Sequence, residues 1–104
     1  MLQFFKKLFG IGPATNFQEL MKAGAVIVDV RTPDEYKGGH IKNSINIPLN
    51  NLSSQLSKIK KDKTVIVCCA SGMRSASAKS VLKSAGYADV YNGGGWMVLQ
   101  NKIS

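Results

Sequence analysis

Residues 64–75 read Thr64-Val65-Ile66-Val67-Cys68-Cys69-Ala70-Ser71-Gly72-Met73-Arg74-Ser75, and this stretch decides the fold. Its first half is a continuous apolar run, which is typical of a strand buried on both faces of a parallel sheet. Its second half contains a glycine, which permits a tight turn, and leads into helical spacing. The predicted helix runs from Ser75 to Ala85 and ends at Gly86. Its predicted inward residues are Ala76, Ala78, Val81, Leu82 and Ala85.

The rest of the chain alternates strand and helix signals in the same way. The β-branched run over residues 25–30 predicts a second buried strand, and residues 44–48 and 88–91 predict two shorter ones. Capping patterns predict helices that begin near residues 16–19 and 32–35, and leucine spacing predicts another across residues 49–59. Residues 93–96, Gly-Gly-Gly-Trp, are expected to form a loop. This alternation predicts one three-layer α/β domain with a parallel sheet.

The chain has 104 residues and a formal charge of +8, from 14 Lys and Arg against 6 Asp and Glu. We interpret the excess as a solvated basic surface and expect no nucleic-acid partner. The reason is that the lysine cluster over residues 58–63 has no interleaved aromatic side chains on which bases could stack.

Residues 1–13 are interpreted as an N-terminal amphipathic appendage that precedes a domain over residues 14–104. Apolar residues at positions 1, 4, 5 and 8 have helical spacing, and Gly10 and Gly12-Pro13 end the pattern. The segment lacks the features of a signal peptide and is too short to span a bilayer. We favour packing on the domain or docking of a partner over the alternative, an interfacial helix with membrane contact through residues 1–10.

The two cysteines, Cys68 and Cys69, are adjacent in the sequence. Neighbouring residues of a strand point to opposite faces, so a disulfide between them is geometrically unfavourable. Only His40 could join them as a soft ligand, so no metal site is expected. Free thiols and the absence of a signal peptide predict a reducing compartment, the cytoplasm.

Cys69 is the candidate nucleophile. Ligands of open α/β sheets bind beyond the carboxyl ends of the strands, which is where the loop after Cys69 must lie. Free N–H groups at the start of the next helix stabilise a thiolate and depress its pKa. Cys68 instead fits a buried core residue of the apolar strand.

The segment Cys69–Ser75 resembles the active-site loop of the rhodanese (sulfurtransferase) domain, with Gly three and Arg five positions after the cysteine. Other segments agree with that family in order and spacing, and the likeness covers roughly residues 16 to 100. These segments are Val28–Arg31 with Glu35-Tyr36, Gly39–Ile41, Asn46–Pro48, and Gly94–Trp96, which resembles the closing loop. The resemblance implies a three-layer rhodanese-like domain with a central, mostly parallel five-stranded sheet flanked by helices.

The resemblance implies a sulfurtransferase that needs no metal or organic cofactor. Sulfane sulfur would pass from a donor, thiosulfate or another persulfide, to an acceptor through a persulfide on Cys69. Cyanide, a small thiol or a protein could be that acceptor. Arg74 would add charge to the loop or brace it. The residues expected to bind the persulfide anion are Ala70, Ser71, Gly72, Met73, Arg74 and Ser75.

Four further residues receive supporting roles. Asp29 and Arg31 are expected to pair and brace the neighbouring loop. His40 is assigned a structural hydrogen bond rather than a role as general base, and Trp96 packing or a place at the pocket rim. Many single-domain relatives carry a basic residue directly after the nucleophile, where this chain has Ala70, which argues against efficient use of dianionic thiosulfate.

Two alternatives remain open at this point. One is a rhodanese-like cysteine phosphatase or arsenate reductase, whose wider loop has five residues between Cys and Arg to hold a tetrahedral oxyanion. Counted from Cys69 only four residues intervene before Arg74, and the spacing of five appears only if Cys68 were the nucleophile. The other alternative is a non-enzymatic module that relays sulfur or binds a partner.

Overall fold

Four parallel strands form the centre of the molecule in the computed structural model, which describes residues 15–104. They are β1 (Val26–Asp29), β2 (Ile45–Asn46), β3 (Val65–Cys69) and β4 (Val90–Gly95). Their order in the sheet is β2-β1-β3-β4, and each neighbouring pair is parallel. The family resemblance implies five strands, and this number is wrong for residues 15–104. This part of the chain has four strand-forming runs, and all four are in the sheet.

Helices cover both faces of the sheet, which confirms the predicted three-layer α/β architecture. The α-helices are α1 (Phe17–Lys22), α2 (Pro33–Lys37), α3 (Met73–Ser84) and α4 (Trp96–Ile103). The larger apolar cluster includes Leu52 and Leu82 and lies on the α3 side, whereas the smaller one includes Phe17 and Leu99 and lies on the side of α1 and α4. Burial of these two faces on a four-stranded sheet stabilises the fold.

Side-chain caps are present at two of the predicted helix starts. The side chain of Asn16 accepts a hydrogen bond from the Glu19 N–H at 3.1 Å. Thr32 and Glu35 form a complete capping box before α2, with Pro33 at the first helical position. The caps fix where α1 and α2 begin, and α2 therefore projects from the carboxyl end of β1.

Helix α3 begins at Met73, two residues before the predicted start, because Gly72 caps it in a left-handed conformation with φ +106°. The prediction that Ala76 faces inward is wrong, since it is exposed. The buried positions are Ser75, Ala78 and Leu82, which share one face of the helix.

Two other sequence predictions are corrected by the structure. Residues 49–59 form two short 3-10 helices, Leu49–Ser54 and Leu56–Lys58, rather than one α-helix. Ser54 Oγ donates to the Asn51 carbonyl at 2.9 Å, the kind of local side-chain bond that competes with an α-helical ladder. Residues 93–96 are not a loop, since β4 continues to Gly95 and α4 begins at Trp96.

Strand β4 contains a bulge at Gly93. Val67 pairs with Asn92 and Cys68 with Gly94, so Gly93 is the additional residue. A Cβ at Gly93 would lie 2.8 Å from Leu99 Cδ2 and 3.0 Å from Ile66 Cγ2, so no larger residue fits without displacing the core. The bulge sets Gly95 opposite Cys69.

The predicted appendage over residues 1–13 lies outside the described residues. Within residues 15–104, no helix has both the length and the apolar character needed to cross a membrane.

Candidate active site

Cys69 is the last residue of β3 and is 1% exposed. Its Sγ lies at the carboxyl edge of the sheet, and Ala70, Ser71 and Gly72 connect it to α3. The Gly72 N–H donates to Cys69 Sγ at 2.9 Å. A residue with a side chain rarely adopts the φ of +106° found at Gly72, so glycine is what allows the loop to turn its amide toward the sulfur.

Ser75 lies beside Cys69 Sγ, and Asn92 in turn binds Ser75. Ser75 Oγ lies 3.5 Å from Cys69 Sγ and donates to Asn92 Oδ1 at 2.6 Å. Asn92 Oδ1 also accepts from the Gly94 N–H at 2.9 Å. The bulge in β4 and the first turn of α3 therefore meet beside Cys69.

The pKa of the Cys69 thiol is lowered in this environment. Burial of the sulfur acts to raise the pKa, and it is the largest single influence. The side-chain hydrogen bond with Ser75 and the backbone N–H groups of Ser75, Gly72 and Ser71 favour the thiolate and together outweigh burial. The loop therefore favours the thiolate of Cys69, which is the nucleophilic form of a cysteine.

Cys68 has the opposite environment, although it is the adjacent residue. Its side chain belongs to the smaller apolar cluster, whereas that of Cys69 belongs to the larger one. Burial, followed by the negative charge of Asp29, raises the pKa of Cys68 to about 12. Cys68 is therefore a packed thiol, and both cysteines are free of disulfides.

The end of β4 packs against the backbone of the loop that follows Cys69. A Cβ at Gly95 would lie 2.9 Å from the Ala70 carbonyl oxygen and 3.8 Å from Ser71 Cα. Only a glycine permits this approach of the two backbones, so any side chain here would displace the loop that holds Cys69.

Arg74 turns to Glu35 in the structure. Its two terminal nitrogens donate to the two carboxylate oxygens of Glu35 at 2.7 and 2.9 Å. The side chains are 36% and 37% exposed, so the pair lies at the surface between α2 and α3. The hydrogen bonds from Arg74, and next those from Thr32, lower the pKa of Glu35 to about 2.

Asp29 and Arg31 form a buried ion pair below this surface pair. Arg31 Nη2 lies 2.8 Å from Asp29 Oδ2, and Nε lies 2.9 Å from Oδ1. Arg31 Nη2 also donates to the Gly39 carbonyl at 2.7 Å, and the guanidinium carbon lies 4.8 Å from the Trp96 ring centroid. The pair ties β1 to the turn after α2 and to the start of α4.

His40 lies at the surface, where its ring stacks on Tyr36 with the centroids 3.7 Å apart. Its Nδ1 is 2.7 Å from the Tyr36 carbonyl oxygen. This contact satisfies a carbonyl at the end of α2, which gives the ring a structural contact.

The predicted site residues separate into two groups. The first group is residues 69–75, in which Cys69 ends β3, residues 70–72 form the connection and Met73 begins α3. Ala70, Ser71 and Met73 are exposed, whereas Ser75 is buried. The second group, Asp29, Arg31, His40 and Trp96, makes no hydrogen bond to Cys69 Sγ, and its supporting role stays a prediction. Among residues 15–104, no group of three or more His, Cys, Asp and Glu side chains could hold a metal ion.

Sequence reasoning missed the roles of Asn92 and Glu35. Asn92 is a polar residue near the carboxyl end of a buried parallel strand, a position at which ligand-binding groups concentrate. Glu35 was predicted to take part in a capping pattern and in a family-like segment, but its pairing with Arg74 was not predicted, although a carboxylate with two oxygens can bind both a cap and an arginine.

Ser75→Ala tests the origin of the lowered pKa. The variant removes a hydrogen bond to the thiolate, so the pKa of Cys69 should rise and less thiolate should be present at neutral pH. Alkylation of Cys69 by iodoacetamide at pH 7 should become about tenfold slower. The two rates should converge at a pH above both pKa values, because Cys69 is then fully ionised in each protein.

The control for this measurement is Ser80→Ala, on the exposed face of the same helix. Its pH profile should coincide with that of the parent protein. Equal profiles for Ser75→Ala and the parent would show that Ser75 does not tune the thiol.

Comparison with known proteins identifies the family. The rhodanese-like domain model matches residues 13–102. The uncharacterized protein YqhL of Bacillus subtilis (strain 168) is 38% identical over 81 residues, which are 75% of this chain and 64% of YqhL. The thiosulfate sulfurtransferase PspE of Escherichia coli (strain K12) is 40% identical over 70 residues, 65% of this chain and 67% of PspE. The match thus spans about two thirds of each curated relative.

A solved structure agrees with these matches. The E. coli structure described as rhodanese with anions superimposes with a TM-score of 0.68 and 35% identity, covering 72% of this chain and 91% of that one. Sequence, fold and the position of the cysteine loop lead to one assignment: the chain belongs to the rhodanese-like domain family.

Proposed function

We propose that the protein is a sulfurtransferase that carries sulfane sulfur as a persulfide on Cys69. The observation that supports this most directly is the anion-holding environment of Cys69 Sγ, with the Gly72 N–H at 2.9 Å and Ser75 Oγ at 3.5 Å. Within residues 15–104, no carboxylate or imidazole forms a hydrogen bond with that sulfur. Sulfur transfer fits such a site because it needs a thiolate but no general acid or base.

The first half-reaction balances without a proton. The Cys69 thiolate attacks the outer sulfur of a donor such as thiosulfate, and a new S–S bond forms. The bond between the outer sulfur and the sulfonyl sulfur breaks, and its electron pair leaves with sulfite. The negative charge now lies on the outer sulfur of the Cys69 persulfide, where the amides of residues 70–75 stabilise it.

The second half-reaction returns the enzyme to its starting state. A nucleophilic acceptor, either cyanide or a thiolate, attacks the outer sulfur. The persulfide bond breaks, and the electron pair returns to Cys69 Sγ as a thiolate. The product is thiocyanate or a new persulfide. This chemistry requires a reduced cysteine, so we propose the cytoplasm as the compartment.

The experiment is to mix the protein with thiosulfate or benzenethiosulfonate and measure its intact mass. We expect a gain of one sulfur atom, assigned to Cys69 by fragmentation and removed by cyanide as thiocyanate. The same preparation is tested for hydrolysis of an aryl phosphate. No sulfur adduct, together with phosphate release, would replace the proposal by the phosphatase reading. The contact of Arg74 with Glu35 argues against that reading, because an arginine that binds phosphate must face the nucleophile.

A sulfur relay to a protein acceptor is the second candidate. Within residues 15–104, the exposed large apolar side chains are Met73 at 81%, Met97 at 61% and Val98 at 56%. All three follow closely on Gly72 or Gly95, the two glycines that border the Cys69 loop. Many turnovers with cyanide or a small thiol as acceptor would support the enzyme over the relay. If turnover stops after one sulfur and the persulfide remains on Cys69, the relay replaces it.

A further inference from the structure

The carboxylate of Glu35 holds two elements together beside the Cys69 loop. Its Oε1 accepts from the Thr32 N–H at 3.0 Å, from Thr32 Oγ1 at 3.1 Å and from Arg74 Nη1 at 2.7 Å. Its Oε2 accepts from Arg74 Nη2 at 2.9 Å. The capping box fixes the carboxylate on α2, and a bidentate pair then fixes the guanidinium in one plane.

Arg74 is the cationic residue of the Cys69–Ser75 loop. It lies in the first turn of α3, two residues after the Gly72 amide that donates to the sulfur. Its forked end nevertheless faces Glu35, whose negative charge offsets its own. The other arginine, Arg31, is buried against Asp29. Both arginine charges are therefore neutralised by carboxylates, and the sulfur site attracts anions through the dipoles of its backbone N–H groups.

We propose that Glu35 is a specificity-determining residue, which holds Arg74 away from the donor and so favours monoanionic sulfane donors over dianionic thiosulfate. The inference rests on the proposed sulfur transfer and names its donor class, which is persulfides and thiosulfonates with one negative charge. Glu35 acts through Arg74 and is a positioning residue. Backbone amides stabilise the single charge that both donor types place on the outer sulfur, whereas the second charge of thiosulfate needs a cation.

The pair persists at the pH at which a thiolate reacts. Glu35 is ionised throughout the neutral range, and Arg74 and Thr32 lower its pKa to about 2, still further below that range. Arg74 is always protonated at those pH values. Donor selection by Glu35 is therefore a constant property of the site.

The test compares Glu35→Gln with the parent protein in single-turnover loading of Cys69. The second-order rate constants for thiosulfate, a dianion, and benzenethiosulfonate, a monoanion, are measured from the mass gain of one sulfur. Glutamine keeps an oxygen for the Thr32 cap but removes the charge that holds Arg74. The ratio of the thiosulfate constant to the benzenethiosulfonate constant should rise about tenfold, because the freed arginine attracts the additional charge of thiosulfate.

Asp34→Asn is the matched control. Asp34 lies next to Glu35 in the first turn of α2, and the substitution removes the same charge without touching the pair with Arg74. Its ratio should change by less than about twofold, which is the general effect of a more positive surface. A rise in Glu35→Gln no larger than in Asp34→Asn would overturn the proposal.

The double variant Glu35→Gln/Arg74→Gln separates action through Arg74 from any other effect. Compared with Arg74→Gln alone, it should show no further change in the ratio. A tenfold rise that persists without Arg74 would also overturn the proposal. Failure of the parent protein to gain sulfur from benzenethiosulfonate would instead contradict the proposed function, and the donor preference with it. Loading with an unchanged ratio contradicts the donor preference alone.

Discussion

Cys69→Ser should lower the rate of thiocyanate formation by at least about 1,000-fold, whereas Cys68→Ala should lower it by less than about threefold. The two residues are adjacent in β3, so their unequal response tests the assignment of the nucleophile with almost no change of position. Serine at residue 69 keeps the size of the side chain but cannot form a persulfide. Its hydroxyl is also a much weaker acid than a thiol.

Cys68 is expected to matter only for packing. Its thiol lies in the apolar cluster beneath α1 and α4, and burial raises its pKa to about 12. Truncation to alanine removes one buried sulfur and should cost about 1 kcal/mol of the free energy of unfolding. Steady-state assays at 25 °C with benzenethiosulfonate and cyanide, accompanied by thermal melts, measure both effects. Loss of activity in Cys68→Ala with a folded protein would move the nucleophile to Cys68 and favour the wider loop of a phosphatase.

Asp29→Asn should destabilise the fold by about 3–5 kcal/mol, the second large effect. The carboxylate is fully buried and Arg31 is 4% exposed, so the variant leaves a buried guanidinium without its counter-charge. The Gly39 carbonyl and the Trp96 ring remain as partners of Arg31, but neither carries a negative charge. A loss of this size in a domain of about 100 residues lowers Tm by roughly 10 °C or more.

Urea unfolding at pH 7, followed by circular dichroism, measures this loss. Asp34→Asn is the reference, since it removes the same charge from an exposed position and should change stability by less than about 0.5 kcal/mol. A loss below about 1 kcal/mol in Asp29→Asn would show that the remaining polar partners of Arg31 suffice. The role of the pair in bracing β1 against the start of α4 would then be discarded.

The sequence alone predicts the centre of the fold because local patterns control it. Short-range signals produce the expected elements in this region. They are the β-branched runs of β1 and β3, the Thr32 capping box and Gly72 in the loop after Cys69. The cysteine loop follows from the same signals, since a parallel strand that leads directly into a helix must place its last residue at the ligand-binding edge.

The remaining features depend on contacts between distant segments. Arg74 and Glu35 are 39 residues apart, and nothing local in either segment indicates that the arginine turns to the carboxylate. The bulge in β4 contains Gly93, where Leu99 and Ile66 leave no room for a side chain, and both of these residues belong to other elements. Helical spacing over residues 49–59 was misleading because Asn and Ser side chains favour local turns. The contact of Asn92 with Ser75 depends on the packing of β4 against α3, which no local pattern indicates.

Asn92 Oδ1 allows the thiol and the thiolate to share one arrangement of heavy atoms. In the thiol form, the Cys69 S–H donates a hydrogen bond to Ser75 Oγ, and the Ser75 hydroxyl donates one to Asn92 Oδ1. In the thiolate form, the Ser75 hydroxyl can instead donate to the sulfur over the same 3.5 Å, because Asn92 Oδ1 still accepts from the Gly94 N–H. Ionisation then requires one hydrogen to swing and leaves no buried oxygen unpaired. The proposed persulfide chemistry would therefore require no rearrangement of the heavy atoms of the Ser75–Asn92 pair when Cys69 ionises.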